Sequence, residues 1–133
     1  MLVADSSVWI DFLGGTIRPS TDRLDAALAD QSVILLDVVA TEVLQGLRSD
    51  RDFARTTRLF ESLPALTIGG LSTAIEAARN YRRLRALGIT PRKTIDTLIA
   101  TRCIADDIPL LYDDRDFDPF TAHLGLISAI GRP

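Results

Sequence analysis

Four short apolar runs, separated by segments with helical periodicity, constrain the fold of this chain most strongly. They are Leu2-Val3-Ala4, Val33 to Leu36, Ala65 to Ile68 and Leu110-Leu111-Tyr112, with Leu124 to Ile127 as a candidate fifth. Their lengths are typical of buried strands. Strands that alternate with helices indicate an α/β domain, and continuous apolar strands indicate a sheet covered on both faces. We therefore predict a layered α/β domain with a largely parallel sheet.

The segments between these runs predict helices, because their apolar residues recur at helical spacing and their ends carry capping or breaking residues. Gly14-Gly15 ends the first helix, and Gly88 ends the longest one. The predicted helices begin at Ser6, Pro19, Asp37, Asp50, Leu71 and Thr94.

The length of 133 residues fits a single domain, residues 1–133. No apolar run approaches the ~20 residues of a membrane-spanning helix. The N-terminus shows no basic segment and no cleavage site of a secretory signal. Cys103 is the only cysteine, so no internal disulfide can form. These features predict a soluble, cytoplasmic protein.

Acidic residues lie where the predicted strands end and where helices begin. They are Asp5 after the first strand, Glu42 one turn into a helix, Asp96 in the first turn of another, and Asp113 and Asp114 after the fourth strand. The ligand crevice of an open α/β sheet lies beyond the carboxyl ends of its strands. We therefore expect these carboxylates to converge on one crevice.

Each acid also has a purely structural interpretation. Asp96 can complement the dipole of a helix N-terminus. Asp113 and Asp114 are ordinary turn residues, and Asp116 can cap a short helix at Phe117. Taken singly, none of these residues indicates a catalytic site.

Glu42 fits a structural interpretation least well. Val39 and Val43 place it at the border of the apolar face of its helix, so it is expected to be half-buried. A half-buried carboxylate needs a partner or a cation. The chain has no His/Cys cluster for zinc and no Gly-rich phosphate loop, and its one histidine, His123, does not support a Ser-His-Asp triad.

Clustered carboxylates without His or Cys suit hard cations. Mg²⁺ and Mn²⁺ take oxygen ligands, and without a cation so many acids in one crevice would repel one another. With one or two such ions, the acids would form a site for phosphodiester cleavage. The residues alone therefore favour a metal-dependent nuclease.

Four segments of the sequence resemble the PIN-domain family, and within it the VapC-type toxins of bacterial toxin–antitoxin pairs. They occur in the family's order and together span nearly the whole chain. The segments are Val3-Ala4-Asp5-Ser6-Ser7-Val8-Trp9-Ile10, Thr41-Glu42-Val43-Leu44-Gln45-Gly46-Leu47, Thr94-Ile95-Asp96-Thr97-Leu98-Ile99-Ala100 and Leu110-Leu111-Tyr112-Asp113-Asp114-Arg115-Asp116-Phe117.

The resemblance implies a three-layer domain with a central, mostly parallel sheet of about five strands flanked by helices, usually as a homodimer. It implies a Mg²⁺-dependent endoribonuclease toxin, with Mn²⁺ as an alternative ion and transfer or ribosomal RNA as substrate. It also implies a VapB-like antitoxin that neutralises the toxin in a larger assembly. The catalytic acids that it implies are Asp5, Glu42, Asp96, Asp114 and Asp116, with Asp5, Asp96 and Asp114 as metal ligands and Ser7 supporting Asp5.

The resemblance leaves open which acid after the fourth strand completes the site. Asp113 stands where relatives often carry Asn or another polar residue, so Asp113, Asp114 and Asp116 compete for that place. The predicted strand ends at Tyr112, which puts Asp114 nearest the crevice. We assign Asp114 to the metal and Asp116 to a supporting role, in which it caps the helix at Phe117.

Fifteen cations against eighteen acids give a net charge of −3, which argues against a simple basic nucleic-acid binder. Arginines nevertheless recur at helical spacing in two places, and either set is a solvated face or a phosphate-binding one. The sets are Arg48, Arg51, Arg55 and Arg58, and Arg79, Arg82, Arg83 and Arg85. Arg92 and Lys93 directly precede the helix that bears Asp96, so we predict that these two contact RNA.

A non-enzymatic RNA- or protein-binding module on the same fold is the alternative function. The complete set of acids favours the enzyme. A phosphoacceptor receiver domain also places acids at strand ends, but it needs a lysine after a late strand. The only lysine here, Lys93, precedes a helix.

Overall fold

The computed structural model describes residues 1–130, and its short strands alternate with helices as the sequence predicts. In chain order the elements are β1 (Val3–Ala4), α1 (Ser6–Leu13), α2 (Pro19–Ala29), β2 (Leu35–Leu36), α3 (Asp37–Gln45), α4 (Asp50–Glu61), β3 (Ala65–Leu66), α5 (Gly70–Ala86), α6 (Thr94–Ala105), β4 (Leu110–Leu111), a 3-10 turn (Arg115–Phe117) and α7 (Asp118–His123).

The strands pair in parallel. β1 pairs with β4, with Val3 opposite Leu110, and β2 pairs with β3, with Leu35 opposite Ala65. A parallel bridge between Leu2 and Val33 joins the two pairs. The spatial order is therefore β3, β2, β1, β4, with each parallel connection made through helices.

The predicted fifth strand, Leu124 to Ile127, is absent from the part of the chain that the structure describes, so the sheet has fewer strands than expected. The amides of Leu124 and Leu126 both donate to the Phe120 carbonyl, at 3.0 and 3.2 Å, and Gly125 has a φ of 85°. The chain thus turns around the end of α7 before it reaches β4. What remains of the strand is one parallel bridge, between Leu110 and Ser128.

The strands lie in the middle of the core, as a three-layer domain requires. Val3 and Leu110 are 0% exposed, so both faces of the sheet are covered. On the helical side of the core, the Trp9 ring meets Phe60 edge-on, with centroids 5.0 Å apart. Among the helices, α5 packs against α6, and α1 packs against both α2 and α3. The predicted α/β class and layering are confirmed.

The carboxyl ends of β1 and β4 lie side by side, because the Asp5 amide donates to the Leu111 carbonyl at 2.9 Å. The residues that follow these two strands therefore emerge at one edge of the sheet. Within residues 1–130, no helix is long and apolar enough to cross a membrane. The single-domain prediction for residues 1–133 stays a prediction, and its last three residues lie outside the described chain.

Candidate metal centre

Asp5 lies between β1 and α1, where the chain leaves the sheet with an extended conformation and turns into the helix. Its side chain is buried, at 4% exposure. The Ser7 hydroxyl donates to Asp5 Oδ2 at 2.9 Å. This is the contact that the resemblance implies for Ser7, and it fixes the direction in which the Asp5 carboxylate points.

Three carboxylates converge beside the start of α6. Asp96, in the first turn of α6, and Asp114 and Asp116, after β4, each offer an oxygen, and these oxygens all lie within 4.8 Å of one another. We call these three residues the acidic cluster. Asp96 is its buried member, at 7% exposure, and its Oδ2 has no hydrogen-bond partner within residues 1–130.

The segment after β4 distributes its three acids differently from the prediction. The Asp114 side chain caps the 3-10 turn, because its Oδ1 accepts a hydrogen bond from the Asp116 amide at 2.9 Å. The capping role predicted for Asp116 therefore belongs to Asp114, and Asp116 joins the acidic cluster instead. The reason is that a 3-10 turn begins at Arg115, before the predicted helix at Phe117, so Asp114 takes the N-cap position.

Asp113 points away from the cluster. Its carboxylate accepts a hydrogen bond from the Ser20 hydroxyl and lies 3.8 Å from the Arg18 guanidinium, both at the start of α2. These contacts give Asp113 a structural role between β4 and α2. They leave Asp114 and Asp116 as the acids of this segment that face the crevice.

Glu42 lies on α3, half-buried as its position beside the apolar face predicts. Its Oε1 is buried without a hydrogen-bond partner in the described part of the chain. Ser6 is a site residue that was not predicted from the sequence: its side chain hydrogen-bonds to Glu42 and lowers the pKa of that carboxyl. The position of Ser6 directly after Asp5 is the sequence signal that could have identified it.

The electrostatics couple four of the acids, Asp5, Glu42, Asp96 and Asp114. Burial, together with the charges of Asp5, Asp114 and Glu42, raises the pKa of Asp96 to about 6, although Lys93 lowers it. Burial also raises the pKa of Asp5 above its usual range, against the hydrogen bond from Ser7. The pKa of Glu42 is raised by burial and then by Asp5. Carboxylates that resist ionisation together favour any cation that reaches them.

The donor set fits a hard divalent cation. The acidic cluster offers carboxylate oxygens only, and one of them, Asp96 Oδ2, is buried and unpartnered within residues 1–130. Mg²⁺ and Mn²⁺ prefer such ligands. Asp5 lies outside the group of three but close enough to influence Asp96 and Glu42, so it borders the same site.

The two predicted RNA-contacting cations lie at the mouth of this site. Arg92 Nη2 is 3.1 Å from Asp116 Oδ2, and Lys93 Nζ is 3.9 Å from Asp114 Oδ2. By contrast, the two arginine sets are largely exposed. In the first set, Arg51, Arg55 and Arg58 lie on α4 but Arg48 precedes it; in the second set, on α5, Arg79 and Arg83 pair with Glu76. The sequence placed Arg92 and Lys93 near Asp96 but gave no sign of their carboxylate partners.

Comparison with known proteins decides the family. The family model for the PIN domain matches residues 2–121, a range that includes all five acids. The chain belongs to the PIN domain family. This PIN domain is 28% identical over 120 residues to a VapC ribonuclease of Mycobacterium bovis and to ribonuclease VapC11 of Mycobacterium tuberculosis; the alignments cover 89% of this chain and 90% of each relative.

Solved structures show the same fold. The toxin–antitoxin complex VapBC2 of Rickettsia felis, bound to a promoter DNA fragment, matches this PIN domain with a TM-score of 0.75 at 13% identity over 96% of both chains. DNA-bound VapBC of Salmonella typhimurium matches with a TM-score of 0.71 at 17% identity, over 96% of this chain and 97% of that one. At these identities the likeness is one of fold.

Proposed function

We propose that this PIN domain is a Mg²⁺-dependent endoribonuclease, with Mn²⁺ as an alternative ion, and that it is the toxin of a toxin–antitoxin pair. The observation that carries the proposal is the buried, unpartnered Asp96 oxygen, within residues 1–130, in a cluster of carboxylates. The VapC ribonucleases that it resembles support the same activity. Transfer or ribosomal RNA is the proposed substrate class.

Asp96 and Asp114 would hold the ion together with Asp116, and Asp5 borders the same site. This revises the predicted ligand set of Asp5, Asp96 and Asp114 by the addition of Asp116. When bound, the ion neutralises the phosphate and lowers the pKa of water. Ser7 keeps the Asp5 carboxylate in place by its hydrogen bond to Oδ2.

Glu42 is the carboxylate best placed to take up a proton. It lies outside the acidic cluster, and its Oε1 has no hydrogen-bond partner within residues 1–130. In the proposed reaction a water oxygen bonds to phosphorus and its proton passes to Glu42 Oε1. The bond from phosphorus to the leaving oxygen breaks, its electron pair stays on that oxygen, and the oxygen takes a proton from solvent. A raised pKa suits Glu42 to that transfer, because a more basic carboxylate is a better proton acceptor.

A small VapB-like antitoxin is the proposed partner, in a larger assembly built on a toxin homodimer. The solved neighbours are toxin–antitoxin complexes. Unpaired carboxylates attract a guanidinium as readily as a metal, so a cation from the antitoxin can block the site. A groove of about 290 Å³ between α1, α3 and α4 offers apolar surface for such a partner, including Ile10 and Leu13.

The test incubates purified protein with total cellular RNA, with and without Mg²⁺, and maps the cut ends. We expect cleavage in Mg²⁺ and none in EDTA, and we expect Asp5→Ala and Asp96→Ala to abolish cleavage while the proteins stay folded. Asp25→Asn, an exposed acid on α2, is the matched control and should cleave normally. Full cleavage in EDTA would contradict the metal mechanism. RNA binding without cleavage under every condition would favour the non-enzymatic binding module.

A further inference from the structure

The loop between α5 and α6 directs its two cations at the carboxylates that the proposed metal needs. Arg92 Nη2 lies 3.1 Å from Asp116 Oδ2, and Lys93 Nζ lies 3.9 Å from Asp114 Oδ2. Both carboxylates belong to the acidic cluster. An oxygen cannot hold a metal ion and keep an unaltered ion pair, so metal binding and these two contacts compete.

The cations approach from the solvent side, whereas the unpartnered oxygen lies inside. The Arg92 side chain is 75% exposed and its partner Asp116 only 22% exposed; the corresponding values for Lys93 and Asp114 are 54% and 31%. Asp96, by contrast, is buried, and its Oδ2 has no hydrogen-bond partner within residues 1–130. The two cations therefore neutralise the outer half of the cluster and leave its inner half unsatisfied.

Exposed ion pairs contribute little to stability, so these two cost little to break. Arg92 and Lys93 are long, flexible side chains at the mouth of the site, next to the place where a phosphate would meet a bound ion. When a metal ion occupies Asp114 and Asp116, Arg92 and Lys93 lose these partners. Their positive charge at the mouth of the site is then available to another anion. Arginine and lysine that lie free beside a nuclease site are the usual donors to RNA phosphates.

We infer that Arg92 and Lys93 are exchangeable counter-ions of the acidic cluster. Without a divalent cation they are held by Asp116 and Asp114; with one bound, they are released to RNA phosphates. Only the release of the two cations to RNA phosphates rests on the proposed function. Both residues thereby have a positioning role, and metal binding is coupled to RNA binding, each favouring the other to the same extent.

The first test measures Mn²⁺ affinity by calorimetry, without RNA. The double variant Arg92→Gln/Lys93→Gln should bind Mn²⁺ more tightly than wild type by roughly a hundredfold, because Coulomb's law gives about tenfold for a divalent ion and a unit charge ~6 Å apart in water, and the variant removes two such charges. Arg115→Gln is the control for the loss of one charge nearby, because Arg115 is exposed on the 3-10 turn between Asp114 and Asp116 and its replacement removes one positive charge. It should change the affinity much less. Arg92→Lys should stay close to wild type.

The second test measures binding of a short single-stranded polyuridine RNA by fluorescence anisotropy over a salt series, with Ca²⁺ or EDTA. For wild type, the slope of the logarithm of the RNA association constant against the logarithm of the salt concentration should be steeper in Ca²⁺ than in EDTA. The difference should be about 0.7 for each released cation. The double variant should show no such difference.

The outcomes separate this inference from the proposed function. Mn²⁺ affinity that is unchanged or weaker in the double variant would overturn the inference, even if RNA cleavage by wild type is metal-dependent. Tighter Mn²⁺ binding in the double variant, together with no RNA cleavage by wild type, would overturn the proposed function and support the exchange of counter-ions. An identical salt dependence in Ca²⁺ and EDTA for wild type would overturn the release to phosphates.

Discussion

Replacing Asp96 by asparagine should stabilise the metal-free protein. Burial and the neighbouring acids raise the pKa of Asp96 from 3.8 to about 6 in the folded state. A carboxyl whose folded pKa lies above its unfolded value binds its proton more tightly when folded, so the folded state loses stability as the pH rises from about 4 to about 6. Above that window the whole penalty is present, and the neutral amide removes it.

The magnitude follows from the shift. About two pKa units correspond to about 3 kcal/mol. The pKa of about 6 already includes the attraction of Lys93. Solvent at the mouth of the site screens part of the remaining penalty. We therefore expect Asp96→Asn to raise the free energy of unfolding at pH 7 by about 1–2 kcal/mol, or the melting temperature by roughly 3–7 °C for a domain of this size.

In excess Mg²⁺, wild type should be more stable than Asp96→Asn. A ligand at a hundred times its dissociation constant stabilises the folded state by ~2.7 kcal/mol, and only the wild type keeps the full set of ligands. The assay is thermal unfolding of wild type, Asp96→Asn and the control Asp25→Asn in EDTA and in Mg²⁺, at pH 5 and pH 7. A melting temperature of Asp96→Asn below that of wild type in EDTA at pH 7 would refute the reasoning. So would a gain of equal size in Asp25→Asn.

Two further positions in the cluster and one beside it test the rest of the site. Asp114→Ala should lose both Mg²⁺ affinity and the cap of the 3-10 turn, and the cap is worth ~1 kcal/mol. Asp114→Asn should keep the cap and lose only the Mg²⁺ affinity. Calorimetry with Mg²⁺ measures the affinity, and thermal unfolding measures the loss of the cap. Asp116→Asn should weaken Mg²⁺ binding without loss of the cap, and unchanged affinity would return Asp116 to the supporting role predicted from the sequence. Ser7→Ala removes the hydrogen bond that lowers the pKa of Asp5, so the pH midpoint for Mg²⁺ binding should move upward, and an unmoved midpoint would show that Ser7 does not tune this carboxylate.

The sequence predicted the fold where local signals agree with the tertiary structure. Ser6 to Leu13 is helical over its full predicted length, because Gly14-Gly15 ends it and its Val8 and Trp9 pack inward. The predicted run at Leu124 to Ile127 failed for the opposite reason. Its apolar side chains are compatible with a strand, but Gly125 adopts a left-handed conformation that wraps the chain around the end of α7. Periodicity cannot reveal such a turn.

The sequence predicted which strands and helices bring acids to the site, but it did not predict which side chains contact one another there. The ends of parallel strands and the starts of the following helices meet at one edge, so Asp5 and Asp96 could be assigned to one crevice from their positions. The roles of the acids after β4 depend on where the next helical turn begins, and its start at Arg115 makes Asp114 the cap, while Asp116 also lies in the acidic cluster. The pairing of Arg92 with Asp116, far along the chain, has no local signal at all.

The free energy stored in this site explains why several cations would compete for it. The fold holds Asp5, Glu42 and Asp96 close together although burial and mutual repulsion raise the pKa of each. Any cation that reaches these oxygens relieves that repulsion. In the proposed function a divalent ion, a basic residue of an antitoxin, and the chain's own Arg92 and Lys93 are alternatives for the same carboxylates, so activation and inhibition exclude each other. An antitoxin cation must then displace the ion where one is bound, and the internal pair of Arg92 and Lys93 where none is.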